Sequence, residues 1–217
     1  MGLAEESGIF YRDPRYALRG IRNKLHGIWL RSTYPFAEFG RGVSVDSSCE
    51  IERSKSSEIR LGDGVYLAPD VWLDVAEGST DSGPSPKIII GSGCEIGRRC
   101  SISARNRITL EADVLLAPSV LIRDHDQQRS GIKQPSDESR MTGGQIFIGR
   151  NCWLGIGAVI ACGSGEINLG RNSVVAANAV VTRSFPPFSV IAGNPAKLVK
   201  TYDQQTRKWV KPNGQRV

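Results

Sequence analysis

The sequence predicts an all-β fold in which the chain winds into a three-sided coil, with one short strand on each side. Three observations carry that expectation. Aliphatic residues recur every six positions in five sets of three. Glycine is abundant, 24 in 217 residues, while aromatic residues are only 7%. One long polar stretch interrupts an otherwise regular period. A core short of aromatic bulk must be filled by stacked aliphatic and small side chains, which points to a repeat.

The elements follow in order. Residues 1–39 read as a basic N-terminal helical arm, in which 12–31 (RDPRYALRGIRNKLHGIWLR) puts Tyr16, Ile21, Leu25 and Ile28 on one helical face. VDSSCE and IERSKS (45–56) form a weaker lead-in turn at the start of a coiled domain spanning 40–196. The five sets are Leu61/Leu67/Leu73, Ile90/Ile96/Ile102, Leu110/Leu116/Ile122, Ile148/Leu154/Ile160 and Leu169/Val175/Val181. A helix would space its apolar residues by three and four, and a lone strand by two. A period of six grouped in threes fits a triangular coil. Position-one side chains then point inward and stack on the next coil about 4.8 Å away. Small residues at positions two and five, with Gly or Asn able to take φ > 0, would turn the chain between sides. Each coil buries its apolar face only against neighbours, so several are needed, and six are available. Residues 197–217 read as a basic helical tail.

The period breaks twice. AEGSTDSGPSP lies between Leu73 and Ile90, and DHDQQRSGIKQPSDESRMTGG follows Ile122, giving an inserted loop over 126–144 before the period resumes at Ile148. Long loops on a rigid scaffold usually carry function.

Composition excludes several classes. No apolar run reaches the length of a membrane-spanning helix. The N-terminus has two acidic residues and no apolar h-region, unlike a secretory signal, so a cytoplasmic location is expected. Five cysteines without a CxxC pair argue against a disulfide scaffold, and two histidines exclude a three-histidine zinc enzyme such as a γ-type carbonic anhydrase. No metal is expected. Cys49, Cys94, Cys100 and Cys152 sit at position five and read as core packing; Cys162 falls outside that position. There is no P-loop and no GxSxG. The net charge of +6 is concentrated towards the ends, +5 in 12–31 and +5 in 197–217, with −2 on 1–11 and −2 left on 32–196. No recognised nucleic-acid module accompanies it. The basic N-terminal segment, with Trp29, Leu30, Tyr34 and Phe36 nearby, suits peripheral contact with an anionic membrane.

His125, between Asp124 and Asp126, opens the inserted loop and is the one histidine of the repeat region. Its side-chain type suits proton transfer near neutrality, and a neighbouring carboxylate can orient the ring. Adjacent residues on extended chain point apart, so at most one of the two aspartates serves it. His26, in the basic helical segment, reads as a packing or surface residue.

The hexads, the DHD insertion, IGRNCWLGIGAVI (148–160) and VVAANAVVTRSFPPFSVIAGNPAK (174–197) resemble the hexapeptide-repeat acyltransferases, most of all the sugar and polysaccharide O-acetyltransferases of the maltose/galactoside type. The resemblance covers roughly residues 40–200. It implies a left-handed parallel β-helix, a homotrimer with active sites between subunits, and acetyl-CoA as donor. By position, His125 matches the catalytic histidine. Trp153 matches a tryptophan lining the cofactor groove, and Ala177, Thr182 and Arg183 match contacts to pantetheine and nucleotide. Lys197 matches a basic residue near the CoA phosphates, and Asn106 falls near an acceptor-binding asparagine. IACGSGEINLG (160–170) is longer than the turn usual in the family and is expected to bulge the coil.

The function expected is therefore acetyl-CoA-dependent O-acetylation of a sugar of a cell-surface polysaccharide or its precursor. Two alternatives stand beside it, an N-acetyltransferase of an amino sugar and a non-catalytic β-helix used for assembly.

Overall fold

The computed structural model describes residues 14–76, 85–125 and 143–212. Helix α1 (Pro14–Thr33) precedes six coils of three strands each. The first coil is β1 (Glu38–Phe39), β2 (Ser44–Val45) and β3 (Glu50–Ile51); the second is β4 (Ile59–Leu61), β5 (Tyr66–Leu67) and β6 (Trp72–Val75). The third is β7 (Ile88–Ile90), β8 (Glu95–Ile96) and β9 (Ser101–Ala104); the fourth is β10 (Arg107–Leu110), β11 (Leu115–Leu116) and β12 (Leu121–Arg123). The fifth is β13 (Gln145–Ile148), β14 (Trp153–Leu154) and β15 (Val159–Ala161); the sixth is β16 (Glu166–Leu169), β17 (Val174–Val175) and β18 (Val180–Val181). Every third strand joins the same parallel sheet. The first sheet runs β1-β4-β7-β10-β13-β16, the second begins β2-β5-β8-β11-β14-β17, and the third holds β3-β6-β9-β12-β15-β18. The molecule is thus a three-sided β-helix.

All fifteen position-one residues of the five sets are buried. The registers Leu61↔Ile90↔Leu110↔Ile148↔Leu169 and Leu73↔Ile102↔Ile122↔Ile160↔Val181 stack them in columns. Full burial of each such side chain contributes about 1.5–3 kcal/mol. Position five also faces inward, through Val65, Val71, Cys94, Cys100, Val114, Val120, Cys152, Ala158 and Ala179.

The turns differ from the expected pattern in one respect. Positive φ falls on position four, at Gly64, Asp70, Gly93, Arg99, Asp113, Ser119, Asn151, Gly157, Asn172 and Asn178. Gly, Asn and Asp tolerate that conformation best. Position two is small for another reason. A Cβ at Gly91 would lie 2.6 Å from the Glu111 carbonyl carbon of the next coil.

The third edge, between the third and first sheets, is longer. Ile102 to Leu110 is eight residues, and both Ile108 and Leu110 point inward. Both long interruptions fall on this edge, as does the extra residue of 160–170, which lengthens the corner without shifting the pairing of Ile146 with Ile167. Asp126 and most of the inserted loop lie outside the described residues.

At the end of the coil the chain departs from the helical tail expected for 197–217. β19 (Ser189–Ala192) pairs parallel with β17, and β20 (Lys197–Asp203) and β21 (Lys208–Val210) then form an antiparallel hairpin on its far side. The open edge of β19 offers unpaired backbone groups, and the strand-forming Val199, Thr201, Tyr202, Trp209 and Val210 supply the partner. Tyr202 meets Trp209 edge-on at 5.3 Å. Among the described residues no helix is long and apolar enough to cross a membrane.

The position-five thiols of Cys94, Cys100 and Cys152 donate to the carbonyls of Glu111, Ala117 and Gly170 at 3.0, 3.1 and 3.2 Å. Burial pushes each thiol up to about 11 from 9.0. At pH 7.5 their thiolate fraction is then on the order of one in several thousand. Maleimide should leave all three unlabelled in the native protein and label them in denaturant; rapid native labelling would place position five outside the core. The folded state favours the neutral thiol, so stability should hold below pH 9.0, where unfolded thiols ionise, and fall as pH rises towards about 11. Thermal melts across that range measure it.

Candidate active site on the long edge

Asp124 and His125 follow β12, where the chain leaves the third sheet for the inserted loop. Asp124 is fully buried and His125 is 5% exposed. The Asp124 carboxylate accepts backbone N–H groups from Arg105 at 2.7 Å, Asn106 at 2.8 Å and Arg107 at 2.7 Å. These residues form the same edge one coil earlier. The carboxylate therefore clips its own coil to the preceding corner, whose amides are turned inward by the long Ile102–Leu110 side.

The fourth partner is His125, whose Nδ1 lies 3.0 Å from Asp124 Oδ1. A carboxylate only accepts, so Nδ1 is assigned the proton and Nε2 is left as the acceptor. That is the tautomer a general base needs. Of the two aspartates flanking the ring, Asp124 orients it; Asp126 lies outside the described residues.

The returning chain packs against this pair. Gly143 bridges His125 antiparallel, and Gly144 N–H donates to the Asp124 carbonyl at 2.6 Å. Asn106 Nδ2 donates to Gly143 O at 2.6 Å, so its amide pins the loop base beside the imidazole. A Cβ at Gly144 would collide with Cys162 Sγ, which explains the Gly-Gly entry. Cys162 is itself buried and its thiol is raised mainly by that burial. It is not a poised nucleophile. His26 sits against the coil with Nδ1 3.2 Å from Val45 O, a packing role.

The remaining predicted residues are dispersed. Thr182 and Arg183 are exposed on the long edge, two coils beyond Arg123 and Asp124, about 10 Å along the axis. The Arg183 guanidinium lies over Phe185 at 5.2 Å. Trp153 is 50% exposed on the outer face of the second sheet, between Leu115 and Val174. Lys197 opens β20 of that sheet, and Ala177 is exposed at the turn between the second and third sheets. In a three-sided prism the edge carrying His125 lies opposite the second sheet. One chain does not bring His125 and Trp153 together. Sequence reasoning missed the Arg105–Arg107 backbone as a carboxylate cradle; its one trace was the eight-residue spacing from Ile102 to Leu110.

Replacing Asp124 with Ala strands three backbone donors and frees the imidazole. The expected cost is about 3 kcal/mol of stability, read from urea unfolding. A loss below about 1 kcal/mol would show that the cradle does not depend on this carboxylate.

A family model described as the hexapeptide repeat of succinyl-transferase matches residues 145–183. WbbJ of Escherichia coli K12, a candidate lipopolysaccharide biosynthesis O-acetyl transferase, is 30% identical over 131 residues, 57% of this chain and 65% of WbbJ. The chain thus spans less than two thirds of that relative. YJL218W of Saccharomyces cerevisiae, a candidate acetyltransferase, is 32% identical over 159 residues, 69% of this chain and 71% of its own. Among solved structures, a point mutant of the N-acyltransferase AntD from Bacillus cereus, in complex with dTDP-4-amino-4,6-dideoxyglucose and coenzyme A, superposes with a TM-score of 0.67 at 16% identity. That match covers 82% of this chain and 90% of AntD, a likeness of fold. Stacked hexads, an edge insertion opened by histidine and these relatives together make the chain a member of the hexapeptide-repeat acyltransferase family.

Proposed function

We propose that this protein is an acetyl-CoA-dependent O-acetyltransferase that acetylates a hydroxyl of a sugar in a cell-surface polysaccharide or its precursor, with His125 as general base. The observation that carries the reading is the Asp124–His125 pair, held on a rigid edge with Nε2 free to accept. The similarity to WbbJ supports a sugar acceptor bearing a hydroxyl.

In the proposed reaction His125 Nε2 takes the proton of the acceptor hydroxyl as its oxygen attacks the thioester carbonyl. The C–S bond of the resulting tetrahedral adduct then breaks. The imidazolium returns the proton to the departing CoA sulfur, while Asp124 holds the ring and offsets its charge. Asn106, fastened to Gly143, flanks the acceptor. No covalent enzyme intermediate is needed.

The donor site proposed is shared between subunits of a homotrimer of left-handed β-helices. His125 comes from one chain and Trp153 from its neighbour, which is the pairing that the opposite placement of edge and face favours. Ala177 is exposed beside the close-packed backbone of Gly155, a surface that a thin pantetheine amide chain can lie against. Thr182, Arg183 and Lys197 are exposed and suit the nucleotide end of CoA, where cations meet phosphate. The station proposed is cytoplasmic and peripheral to a membrane, through the basic N-terminal segment.

Thiol release from acetyl-CoA, followed across a panel of sugar hydroxyl and amino-sugar acceptors, tests the chemistry. His125→Ala should lower the rate by about 100-fold or more with hydroxyl acceptors. A full rate in that variant would remove His125 from the mechanism, and a preference for amines would select N-acetylation. Mixing unfolded His125→Ala and Trp153→Ala chains in equal amounts and refolding them should restore up to about a quarter of wild-type activity if neighbours share each site. No recovery would sink the shared site.

A further inference from the structure

Helix α1 docks on the coil through one face and turns the opposite one outward. Asn23, Gly27 and Leu30 are buried against the first coil. A Cβ at Gly27 would already touch the Val43 carbonyl at 3.0 Å, so the contact is close. At 3.6 residues per turn, Leu18, Ile21, Leu25, Ile28 and Trp29 fall on the face diametrically opposed. All five are more than half exposed. Three of the four residues expected on one face, Ile21, Leu25 and Ile28, do share it, and it points away from the protein; helical spacing sets position 16 on the opposite side, and the side chain of Tyr16 lies outside the described residues.

Basic residues border this stripe on both sides. Arg22 lies along one flank and Lys24 and Arg31 along the other, and the helix contains no acidic residue. Arg22 approaches Asp46 at 3.7 Å yet stays 59% exposed. Trp29 stacks on His26 and meets Tyr34 edge-on, which fixes an indole at the rim of the stripe. A contiguous apolar strip on a water-facing helix needs a partner. A second copy of the same face would set Lys24 and Arg31 against like charge. An anionic surface meets both requirements, since acyl chains accept the apolar strip while headgroups neutralise its flanks.

We propose that α1 is an interfacial helix that seats the N-terminal end of the β-helix on an anionic phospholipid bilayer. The helix covers the end of the prism, so the coil axis would stand away from the membrane. His125 follows the fourth coil, three repeats above β2, or about 15 Å along the axis. Resting on the acetyl-transfer reading above, this favours a sugar carried by a membrane-anchored lipid over a freely diffusing one.

Flotation of the full chain with vesicles tests the proposal, comparing phosphatidylcholine containing phosphatidylglycerol with phosphatidylcholine alone. The chain should float with the anionic vesicles at low salt and at least tenfold less with the neutral ones. The double variants L25D/I28D and K24E/R31E should each lose at least tenfold while keeping the wild-type melting temperature and the wild-type thiol-release rate with a soluble acceptor. Failure to float with anionic vesicles, or floating unchanged in L25D/I28D, overturns the proposal. A fall in oligomer mass of L25D/I28D by light scattering also overturns it, by assigning the stripe to a second copy. His125→Ala should float like wild type, so a failed acetyl-transfer reading and a failed membrane seat give different results.

Discussion

The inward aliphatic columns constrain everything else in this molecule. Neighbouring coils lie about 4.8 Å apart, and each side supplies a short strand whose alternate residues face in and out. A residue inserted within a side would turn its aliphatic outward and break a column. Extra chain can enter only at an edge. Two of the three edges are closed to it by hydrogen bonds from coil to coil. One carries the ladder Gly64 N to Arg41 O, Gly93 N to Asp63 O, Asp113 N to Ser92 O, Asn151 N to Ala112 O and Asn172 N to Arg150 O. Another carries Arg99 N to Pro69 O, Ser119 N to Arg98 O, Gly157 N to Pro118 O and Asn178 N to Ile156 O. The third edge has no such uniform ladder among the described residues, and it holds every interruption and the buried histidine.

Burying a carboxylate on that edge is costly unless its lone pairs are met. Asp124 meets the cost with three backbone donors and an imidazole, and in doing so performs two tasks. It closes the edge between two coils at the point where the inserted loop would otherwise open it. It also fixes the ring orientation of His125. The group that secures the fold is thus the one that prepares the proposed base, and a stable edge and a poised imidazole come from a single side chain.

Much of this was legible in the sequence because a period of six has few physical explanations. The position-one residues and Cys94, Cys100 and Cys152 all face inward as the spacing predicts. The turn chemistry was only half legible. Small residues at position two mark close coil-to-coil approach, while the left-handed residue is at position four, where Arg99 and Ser119 hide the pattern among better turn formers. The C-terminal hairpin was missed because basic residues masked an alternation that becomes decisive only beside the open edge of β19. The cradle for Asp124 was illegible for a different reason. It is made of backbone amides of Arg105, Asn106 and Arg107, whose side-chain identities say nothing of it.

Repeat architecture also explains how three surfaces can differ so much in character. Each coil contacts only its neighbours, so the end under α1, the outer face of the second sheet and the long edge are energetically nearly independent. The second sheet displays Tyr66, Leu115 and Trp153 laterally, whereas α1 displays Leu18, Leu25 and Ile28 at the end. These directions do not compete. The neighbouring chain proposed above would meet the lateral face and reach the edge where Asp124 holds His125, while a bilayer meets the end. Parallel copies packed side by side would present their α1 helices in one plane. Weak interfacial contacts that act together in one plane bind far more tightly than any one alone. Side-by-side association and membrane seating would therefore reinforce each other without requiring a further contact in the chain.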